Sequence, residues 1–257
     1  MRRVLLFIAI PLYTLVFGLL AILLMIPIPN GNPFIWCARP WASLILLASG
    51  VRVRVSGRDR LDPARPAIYI TNHQSHFDVL ALIRALPGQY RIIAKKELFA
   101  IPVFGWALSL SGFIKLDRTD RSQAHASLGV AAARVRSGRS VVVFAEGTRS
   151  PDGRLLPFKK GGFILAIESG APVVPVSISG SRAVLGRESL DIRRGAIDVA
   201  FGAPIPTASL TYDDRNALIA TTRAAIEDGF TPLHAQDLLP AKSPGTGRMA
   251  AGSRNEP

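Results

Sequence analysis

One segment of the chain carries a histidine and a carboxylate at a spacing that suits acid–base chemistry. The segment Asn72–Asp78 (NHQSHFD) follows the apolar run AIYIT and opens a stretch typical of a helix. His73 and Asp78 can meet only if His73 lies in the turn and Asp78 in the first helical turn. A carboxylate bound to one imidazole nitrogen leaves the other nitrogen free as a base. An alternative stays open, in which Asn72 or Ser75 is a plain helix cap.

A second polar segment, Phe144–Ser150 (FAEGTRS), continues the apolar run SVVVF. An apolar run that leads directly into Glu-Gly-Thr-Arg indicates charged groups at the carboxyl end of a buried strand. Gly147 permits a close backbone approach, and the guanidinium of Arg149 suits a bidentate phosphate contact. The alternative is a solvated surface turn, because Ser-Pro-Asp-Gly begins at Ser150.

Two more basic residues follow predicted strands. Lys95 comes after Tyr90–Ala94, and Arg118 comes shortly after Phe113–Leu116. Ligand crevices of α/β sheets lie at the carboxyl ends of the strands, so both residues are candidates for the same site as His73. Taken alone, each of them is better explained as a solvated charge.

The elements that must position these residues alternate between strands and helices. Predicted strands cover 51–55, 67–71, 90–94, 113–116, 140–144, 173–178 and 197–201, and predicted helices cover 78–86, 98–110, 122–137, 163–169 and 212–228. This alternation predicts an α/β fold with a mostly parallel mixed sheet covered by helices. We assign 51–237 to this α/β domain and expect 238–257, rich in Pro, Gly and Ser, to be a disordered tail.

Residues 1–50 are predicted to form a membrane anchor. The 25 residues of Val4–Ile28 carry no charge and follow Arg2 and Arg3. As a helix they would extend roughly 37 Å, which is enough to cross a hydrocarbon core of about 30 Å. A second apolar run, Trp41–Val51, is too short to span. The sequence leaves open a spanning first helix or a helical hairpin that enters one leaflet.

The residues around the second apolar run indicate an interface and an orientation. Arg39-Pro40 interrupts the apolar pattern, and Trp36 and Trp41 flank Arg39 as headgroup residues would. More arginines follow the first apolar segment than precede it. The positive-inside rule therefore predicts that the main domain faces the cytoplasm.

The composition limits the classes of protein that remain. Of the 257 residues, 49% are hydrophobic and 19% charged, which excludes a disordered chain as a whole. The net charge of +13 indicates an anionic partner, such as a membrane surface, a phosphorylated substrate or nucleic acid. Cys37 is the single cysteine, so an intramolecular disulfide and a Cys-rich metal site are excluded. No nucleic-acid-binding motif and no metal-ligand set is found.

The polar segments, taken together and in this order, resemble the motifs of the glycerolipid acyltransferases that include 1-acylglycerol-3-phosphate acyltransferase. Order and spacing agree over about 67–179. The matching residues are Asn72–Ser75 and Asp78; Lys95, Leu98, Pro102, Gly105, Gly112 and Asp117-Arg118; Phe144–Ser150 and Leu156–Lys159; and Val174–Ile178. The family usually has Pro where this chain has Ala145. Since this change frees φ and removes no polar group, we expect the geometry to survive.

The resemblance implies the transfer of a fatty acyl group from acyl-CoA or acyl carrier protein to the free hydroxyl of 1-acylglycerol 3-phosphate. The product would be phosphatidate, a precursor in phospholipid biosynthesis. His73 would be the general base and Asp78 would orient it. Lys95, Arg118 and Arg149 would hold the acceptor phosphate. Glu146 and Gly147 would shape the acceptor pocket, with a purely structural role as the alternative, and Thr148 is a further candidate for substrate binding.

The same resemblance implies no resident cofactor, no metal and no nucleic-acid partner, with membrane lipid as the surroundings and the substrate. Together with the positive-inside rule, this predicts an enzyme at the cytoplasmic membrane with the catalytic domain facing the cytoplasm. Two alternatives stay open. The chemistry could act on another lysolipid or a lyso-ornithine acceptor, or the chain could be a non-catalytic membrane protein that binds anionic lipid.

Overall fold

The computed structural model describes residues 2–117 and 121–232. Its strands are β1 (Val51–Ser56), β2 (Ile68–Thr71), β3 (Tyr90–Lys95), β4 (Ile114–Leu116), β5 (Ser140–Phe144), β6 (Val173–Ser179) and β7 (Gly195–Phe201). Its α-helices are α1 (Arg2–Met25), α2 (Asn32–Ala48), α3 (Phe77–Ala85), α4 (Phe104–Ser111), α5 (Arg121–Arg136), α6 (Gly161–Ser169), α7 (Ser181–Val184) and α8 (Arg215–Asp228). Arg118 and the predicted tail at 238–257 lie outside the described residues.

The strands form one seven-stranded sheet in the order β1-β7-β6-β2-β5-β3-β4. Every neighbouring pair is parallel except β6 and β7. The predicted α/β class with a mostly parallel mixed sheet is therefore confirmed. β2 and β6 are buried throughout, in keeping with apolar strands that are covered on both faces.

Two helical layers cover the sheet. One hydrophobic cluster joins one face of the sheet to α1, α2, α3 and α4, and a second joins the other face to α5, α6 and α8. The first cluster contains Ala21 and Met25 of α1 together with Val142 of β5. The N-terminal helices and the sheet therefore share a core. The assignment of residues 1–50 to an anchor and of residues 51–237 to a separate domain stays a prediction.

The parallel strands fix where the polar segments meet. Thr71 pairs with Phe144 and Val176, so β2, β5 and β6 end at one edge of the sheet. The segments after β2 and β5 begin at this edge, which we call the C-terminal edge. β7 runs in the opposite direction and begins there, at Gly195.

The N-terminal end of α1 also lies at the C-terminal edge. Leu6 and Phe7 line a cavity of about 160 Å³ together with Leu190 and Ile192, in the segment that leads into β7. α1 packs along α2 and α4. It is the one helix in the described part of the chain that is long and apolar enough to cross a membrane.

The second N-terminal helix begins before the second apolar run. α2 runs unbroken from Asn32 to Ala48, so Arg39 and Pro40 interrupt the apolar pattern of the sequence but not the helix. The guanidinium of Arg39 turns toward the α/β domain, where it donates to the backbone oxygens of Leu86 and Gly88 at 3.3 and 2.9 Å. Tertiary hydrogen bonds therefore satisfy the charged side chain.

The two tryptophans predicted at the headgroup level differ in their surroundings. The indole N–H of Trp41 donates to the hydroxyl of Thr14 at 3.1 Å, and this bond joins α2 to α1. Trp41 is partly buried, whereas Trp36 is exposed. Trp41 is therefore a packing residue between the two helices.

The predicted helix 98–110 is divided in the structure. A 3₁₀ turn covers Lys96–Ala100 and α4 begins at Phe104. Between them Val103 has φ 63° and ψ −58°, and the N–H of Phe104 donates to the backbone oxygen of Pro102 at 2.7 Å. This geometry is a γ-turn, which ends the first segment.

Candidate active site

His73 and Asp78 form the predicted pair. Asp78 is in the first turn of α3 and is completely buried, and its Oδ2 lies 2.8 Å from Nδ1 of His73. Because a carboxylate oxygen accepts, Nδ1 carries the proton. Nε2 forms no hydrogen bond with any residue in 2–117 or 121–232, and the His73 side chain is 15% exposed. The imidazole is therefore held at one nitrogen and open at the other.

Backbone donors hold Asp78 in place. The same Oδ2 accepts from the N–H groups of Gln74 and Ser75 at 2.6 and 2.9 Å. These bonds close the turn between β2 and α3 around the carboxylate. They orient the negative charge toward the imidazole, where it can stabilise an imidazolium.

The neighbouring polar residues of this turn are structural. The amide of Asn72 exchanges two hydrogen bonds with the backbone of Ile178, at 2.8 and 2.9 Å, and so attaches the turn to β6. The hydroxyl of Ser75 accepts from the N–H of Phe77 at 3.2 Å and donates to the backbone oxygen of Leu185 at 2.7 Å. The cap position of α3 is His76, so neither Asn72 nor Ser75 occupies it.

The last residue of β5 packs on the imidazole. The ring centroids of His73 and Phe144 are 4.0 Å apart with an interplanar angle of 30°. The backbone N–H of Ser150 donates to the backbone oxygen of His73 at 2.9 Å. The segments after β2 and β5 are thus fastened to each other at the C-terminal edge.

Glu146 is held inside the protein by both of its carboxylate oxygens. It is 1% exposed, and its two carboxylate oxygens accept from the backbone N–H groups of His73 and Leu156 at 2.8 and 3.0 Å. Both oxygens are therefore engaged inside the protein. The carboxylate joins three segments, and one of them carries the imidazole.

Burial changes the titration of Glu146. Desolvation raises the pKa of its carboxyl to about 7, although the two backbone donors favour the charged form. The charged and neutral forms thus interconvert near neutral pH. When protonated, the carboxyl has one oxygen fewer to accept from the backbone.

Arg149, in the segment after β5, contacts a second arginine, Arg187. Its Nη1 donates to the backbone oxygen of Arg187 at 2.9 Å, and Nη1 of Arg187 donates back to that of Arg149 at 3.2 Å. The rest of the Arg149 guanidinium forms no other hydrogen bond with the described residues. Burial, and then the charge of Arg187, lower the pKa of Arg149. Two positive charges held this close favour an anion.

Gly147 and Thr148 differ in their surroundings. Gly147 has φ 70° and its N–H closes a turn onto the backbone oxygen of Phe144 at 3.0 Å. A Cβ at this position would be 3.4 Å from Cγ of Lys159. The left-handed backbone thus favours glycine and lets Lys159 approach the turn. Thr148 is exposed to solvent.

Ala145, where the family usually has Pro, uses the N–H that a proline would lack. It donates to the backbone oxygen of Thr71 at 2.9 Å and extends the ladder between β5 and β2. The substitution therefore adds a hydrogen bond next to the site.

Lys95 lies farther from the imidazole than the residues above. It ends β3, and β5 separates β3 from β2. Two strand spacings correspond to roughly 10 Å across the sheet. Its Nζ is 3.3 Å from the carboxylate of Glu97, and its side chain is largely exposed. Lys96 is bound instead to Asp117, at 2.6 Å.

The structure therefore brings together four of the predicted residues: His73, Asp78, Glu146 and Arg149. Sequence reasoning missed Arg187, which is 38 residues from Arg149 in the chain and carries no local signal. It also missed the packing of Phe144 on His73. That contact could have been inferred, because both residues come at the ends of strands predicted to share an edge.

The geometry agrees with comparisons to known proteins. Residues 52–179 match the family model of an acyltransferase domain. The chain is 34% identical over 236 residues to the 1-acyl-sn-glycerol-3-phosphate acyltransferase of Saccharomyces cerevisiae, covering 88% of this chain and 78% of that protein. It is 34% identical over 209 residues to the human beta enzyme of that name, covering 81% and 73%. The chain therefore belongs to the 1-acyl-sn-glycerol-3-phosphate acyltransferase family.

Coverage is lower for other relatives. The chain is 35% identical over 225 residues to a chloroplastic 1-acyl-sn-glycerol-3-phosphate acyltransferase of Brassica napus, but it spans only 64% of that protein's length.

The crystal structure of the 1-acyl-sn-glycerophosphate (LPA) acyltransferase from Thermotoga maritima shares the fold. It superposes with a TM-score of 0.77 at 23% identity, covering 89% of this chain and 92% of the other.

Proposed function

We propose that this protein transfers a fatty acyl group from a thioester to the free hydroxyl of 1-acylglycerol 3-phosphate and so forms phosphatidate. The observation that carries the proposal is the 2.8 Å contact between Nδ1 of His73 and the buried carboxylate of Asp78. It leaves Nε2 as a base at the C-terminal edge. Membership of the acyltransferase family and the names of the relatives support the reaction class and the acceptor.

The reaction follows from these groups. Nε2 of His73 takes the proton of the acceptor hydroxyl as its oxygen attacks the thioester carbon. The imidazolium that forms is stabilised by Asp78. The tetrahedral intermediate then expels the thiolate, the C–S bond breaks, and His73 returns the proton to sulfur. An acyl-enzyme is not required, because the thioester is already activated.

The acceptor phosphate is proposed to bind beside Arg149. The part of this guanidinium that is free of protein hydrogen bonds offers the fork geometry that phosphate oxygens prefer. Arg187 adds positive charge, and Lys95 and Arg118 are proposed to contribute from the neighbouring strands. Binding at the phosphate would hold the hydroxyl close to His73 and lower the entropic barrier to attack.

Acyl-CoA or acyl carrier protein is the proposed donor. Both are polyanionic, which suits a chain with a net charge of +13. The proposal includes no resident cofactor, no metal and no nucleic-acid partner. Among residues 2–117 and 121–232, no cluster of three or more His, Cys, Asp and Glu side chains could hold a metal ion.

We also propose that the protein is anchored at the cytoplasmic face of the membrane by α1 and α2, with the catalytic domain in the cytoplasm. Leu6 near one end of α1 and Met25 at the other are both buried against the protein, so the whole helix lies along the domain. A helix crossing the bilayer in this arrangement would draw the domain into the hydrocarbon core. The packing thus favours a hairpin that rests in one leaflet.

The experiment that tests the activity uses the full chain purified in lipid or detergent. With acyl-CoA and lysophosphatidate we expect release of free thiol together with phosphatidate, identified by mass spectrometry. His73→Ala is expected to lose about 10²- to 10⁴-fold in kcat. An active His73→Ala protein would refute the general-base assignment. If neither the wild type nor His73→Ala releases thiol, the proposed acyltransferase activity is refuted.

A panel of acceptors tests the choice of substrate. Lysophosphatidate, glycerol 3-phosphate, lysophosphatidylcholine and a lyso-ornithine lipid are compared at equal concentration. We expect lysophosphatidate to give the highest kcat/KM. A preference for a phosphate-free acceptor would refute the role of Arg149, and salt-sensitive lipid binding without thioester cleavage would indicate a binding protein.

A further inference from the structure

α4 carries an apolar face that no other part of the described chain covers. Trp106 is 58% exposed and Leu110 is 54% exposed, and the two residues are four apart on one side of the helix. Ile101 is exposed in the turn just before α4. Large apolar side chains grouped at an exposed surface are typical of a contact with a partner or a membrane.

This face lies beside α1. Val103 packs on Gly18 of α1, where an added Cβ would be 3.0 Å from Cγ1 of Val103. Phe104 and Ala107 line a small apolar cavity together with Phe17 of α1. Because the inner sides of the two helices are in contact, the exposed face of α4 lies next to α1. The exposed apolar residues of α1 include Leu12, Leu15, Val16, Leu19 and Leu23.

The backbone before α4 is strained in order to make this contact. Val103 has φ 63°, the left-handed region that a β-branched residue rarely adopts. The γ-turn ends the 3₁₀ segment and begins α4 directly against α1. Such strain persists where the surrounding packing determines it, and here the packing is the contact of Val103 with Gly18.

We propose that the outer face of α4, formed by Ile101, Trp106 and Leu110, is a separate membrane contact that rests at the boundary between headgroups and acyl chains. The proposal rests on the membrane anchoring by α1 and α2 proposed above. Lipid is favoured over a protein partner because α4 packs against α1, a helix apolar enough to cross a membrane. A tryptophan at the boundary suits the amphipathic indole ring.

The contact would join the site to the bilayer. Residues 96–111 connect β3, which ends at Lys95 at the C-terminal edge, to β4. Lys95 and Lys96 precede the apolar face. With α4 in the interface, these lysines stand at the level of lipid phosphates, where long basic side chains are favoured. A lipid acceptor could then reach the site from within its leaflet.

Fluorescence of Trp106 tests the proposal in the full chain. Trp36→Phe and Trp41→Phe leave Trp106 as the single tryptophan. The protein is mixed with phosphatidylcholine vesicles whose acyl chains carry bromine either near the headgroups or near the bilayer centre. We expect strong quenching by the shallow bromines, weaker quenching by the deep ones, and protection from aqueous iodide. Accessibility of Trp106 to iodide would overturn the proposal. So would a Trp106 that is shielded from iodide but not quenched by bromine, which would indicate a contact between two copies of the protein.

Vesicle flotation gives a second measurement that does not depend on the tryptophan substitutions. Trp106→Glu and Leu110→Glu are expected to weaken vesicle binding by about tenfold or more, because an apolar contact is replaced by a charge. Val130→Glu is the matched control, since Val130 is 49% exposed on α5, in the opposite helical layer. Equal effects of the three substitutions would overturn the proposal.

The same samples separate this inference from the proposed function. Wild-type protein that fails to float would contradict the membrane anchoring, and wild-type protein without thiol release in detergent would contradict the enzyme activity. If wild-type protein floats and is active while Trp106 of the single-tryptophan variant stays accessible to water, only the contact through α4 is contradicted.

Discussion

The segments after β2 and β3 carry polar residues at the same edge of the sheet, but they are built in opposite ways. In residues 72–78 the polar side chains are nearly all bonded inside the protein, and Asp78 is completely buried. In residues 95–101 Lys95 is largely exposed and the turn continues into an apolar surface. The first segment has a fixed geometry, whereas the second is open to solvent or lipid.

This difference suits the division of roles in the function proposed above. Proton transfer needs atoms held within a few tenths of an ångström, so the base requires a fixed segment. Attraction of a phosphate tolerates a mobile charge, because Coulomb energy falls slowly with distance. The segment after β5 is intermediate, since Arg149 is partly bound by Arg187 and partly free. The predictions below test this division, in order of expected effect.

Asp78→Asn is expected to have the largest effect. The amide is uncharged, so it no longer stabilises the imidazolium, and we expect kcat to fall by about 10²- to 10⁴-fold with KM little changed. Asp213→Asn is the matched control, because Asp213 is exposed and lies in the turn before α8. Steady-state kinetics and a thermal melt separate catalysis from folding. A loss of less than threefold would show that the fixed segment has no catalytic role.

Arg149→Ala is expected to act mainly on the acceptor. The loss of a hydrogen-bonded charge should raise the KM for lysophosphatidate by about 10- to 150-fold, since such bonds contribute about 1.5–3 kcal/mol. Arg149→Lys should recover part of this, because it restores the charge without the fork. Arg154→Ala serves as control, since its side chain is 88% exposed. A change confined to kcat would contradict phosphate binding by Arg149.

Glu146→Gln is expected to reduce kcat by about three- to tenfold, because glutamine has one acceptor oxygen for the two backbone donors. It should also change how stability depends on pH. The pKa of Glu146 is about 7 in the folded protein against an ordinary value of 4.5, so the folded state binds the extra proton between these values. The free energy of unfolding therefore falls as pH rises through this window.

Urea unfolding at several pH values measures this slope. In Glu146→Gln the contribution of this group to the slope should disappear, while other titrating groups keep theirs. An unchanged slope between wild type and Glu146→Gln would show that the carboxyl is not buried in the folded protein.

Lys95→Ala is expected to have the smallest effect. An exposed lysine paired with Glu97 contributes little, and we expect the KM for lysophosphatidate to rise about two- to fivefold. The effect should decrease as salt increases. Arg136→Ala on the surface of α5 is the control. An effect as large as that of Arg149→Ala would contradict the division between the fixed and the open segment.

Much of the fold could be predicted from short-range pattern. The strands are short runs of three to seven residues, many of them β-branched, so their existence and their order along the chain followed from the sequence. One exception has a tertiary cause. The predicted helix at 98–110 breaks at Val103, which packs on Gly18 of α1.

The sequence by itself determined the residue types and their order at one edge of the sheet: His73, Asp78, Glu146 and Arg149. Only the tertiary structure decided which of them could face a ligand. A carboxylate in a polar segment has the same local signal whether it contacts a substrate or the backbone. The fold turned Glu146 inward onto the N–H groups of His73 and Leu156, and it brought Arg187 from 38 residues away to Arg149.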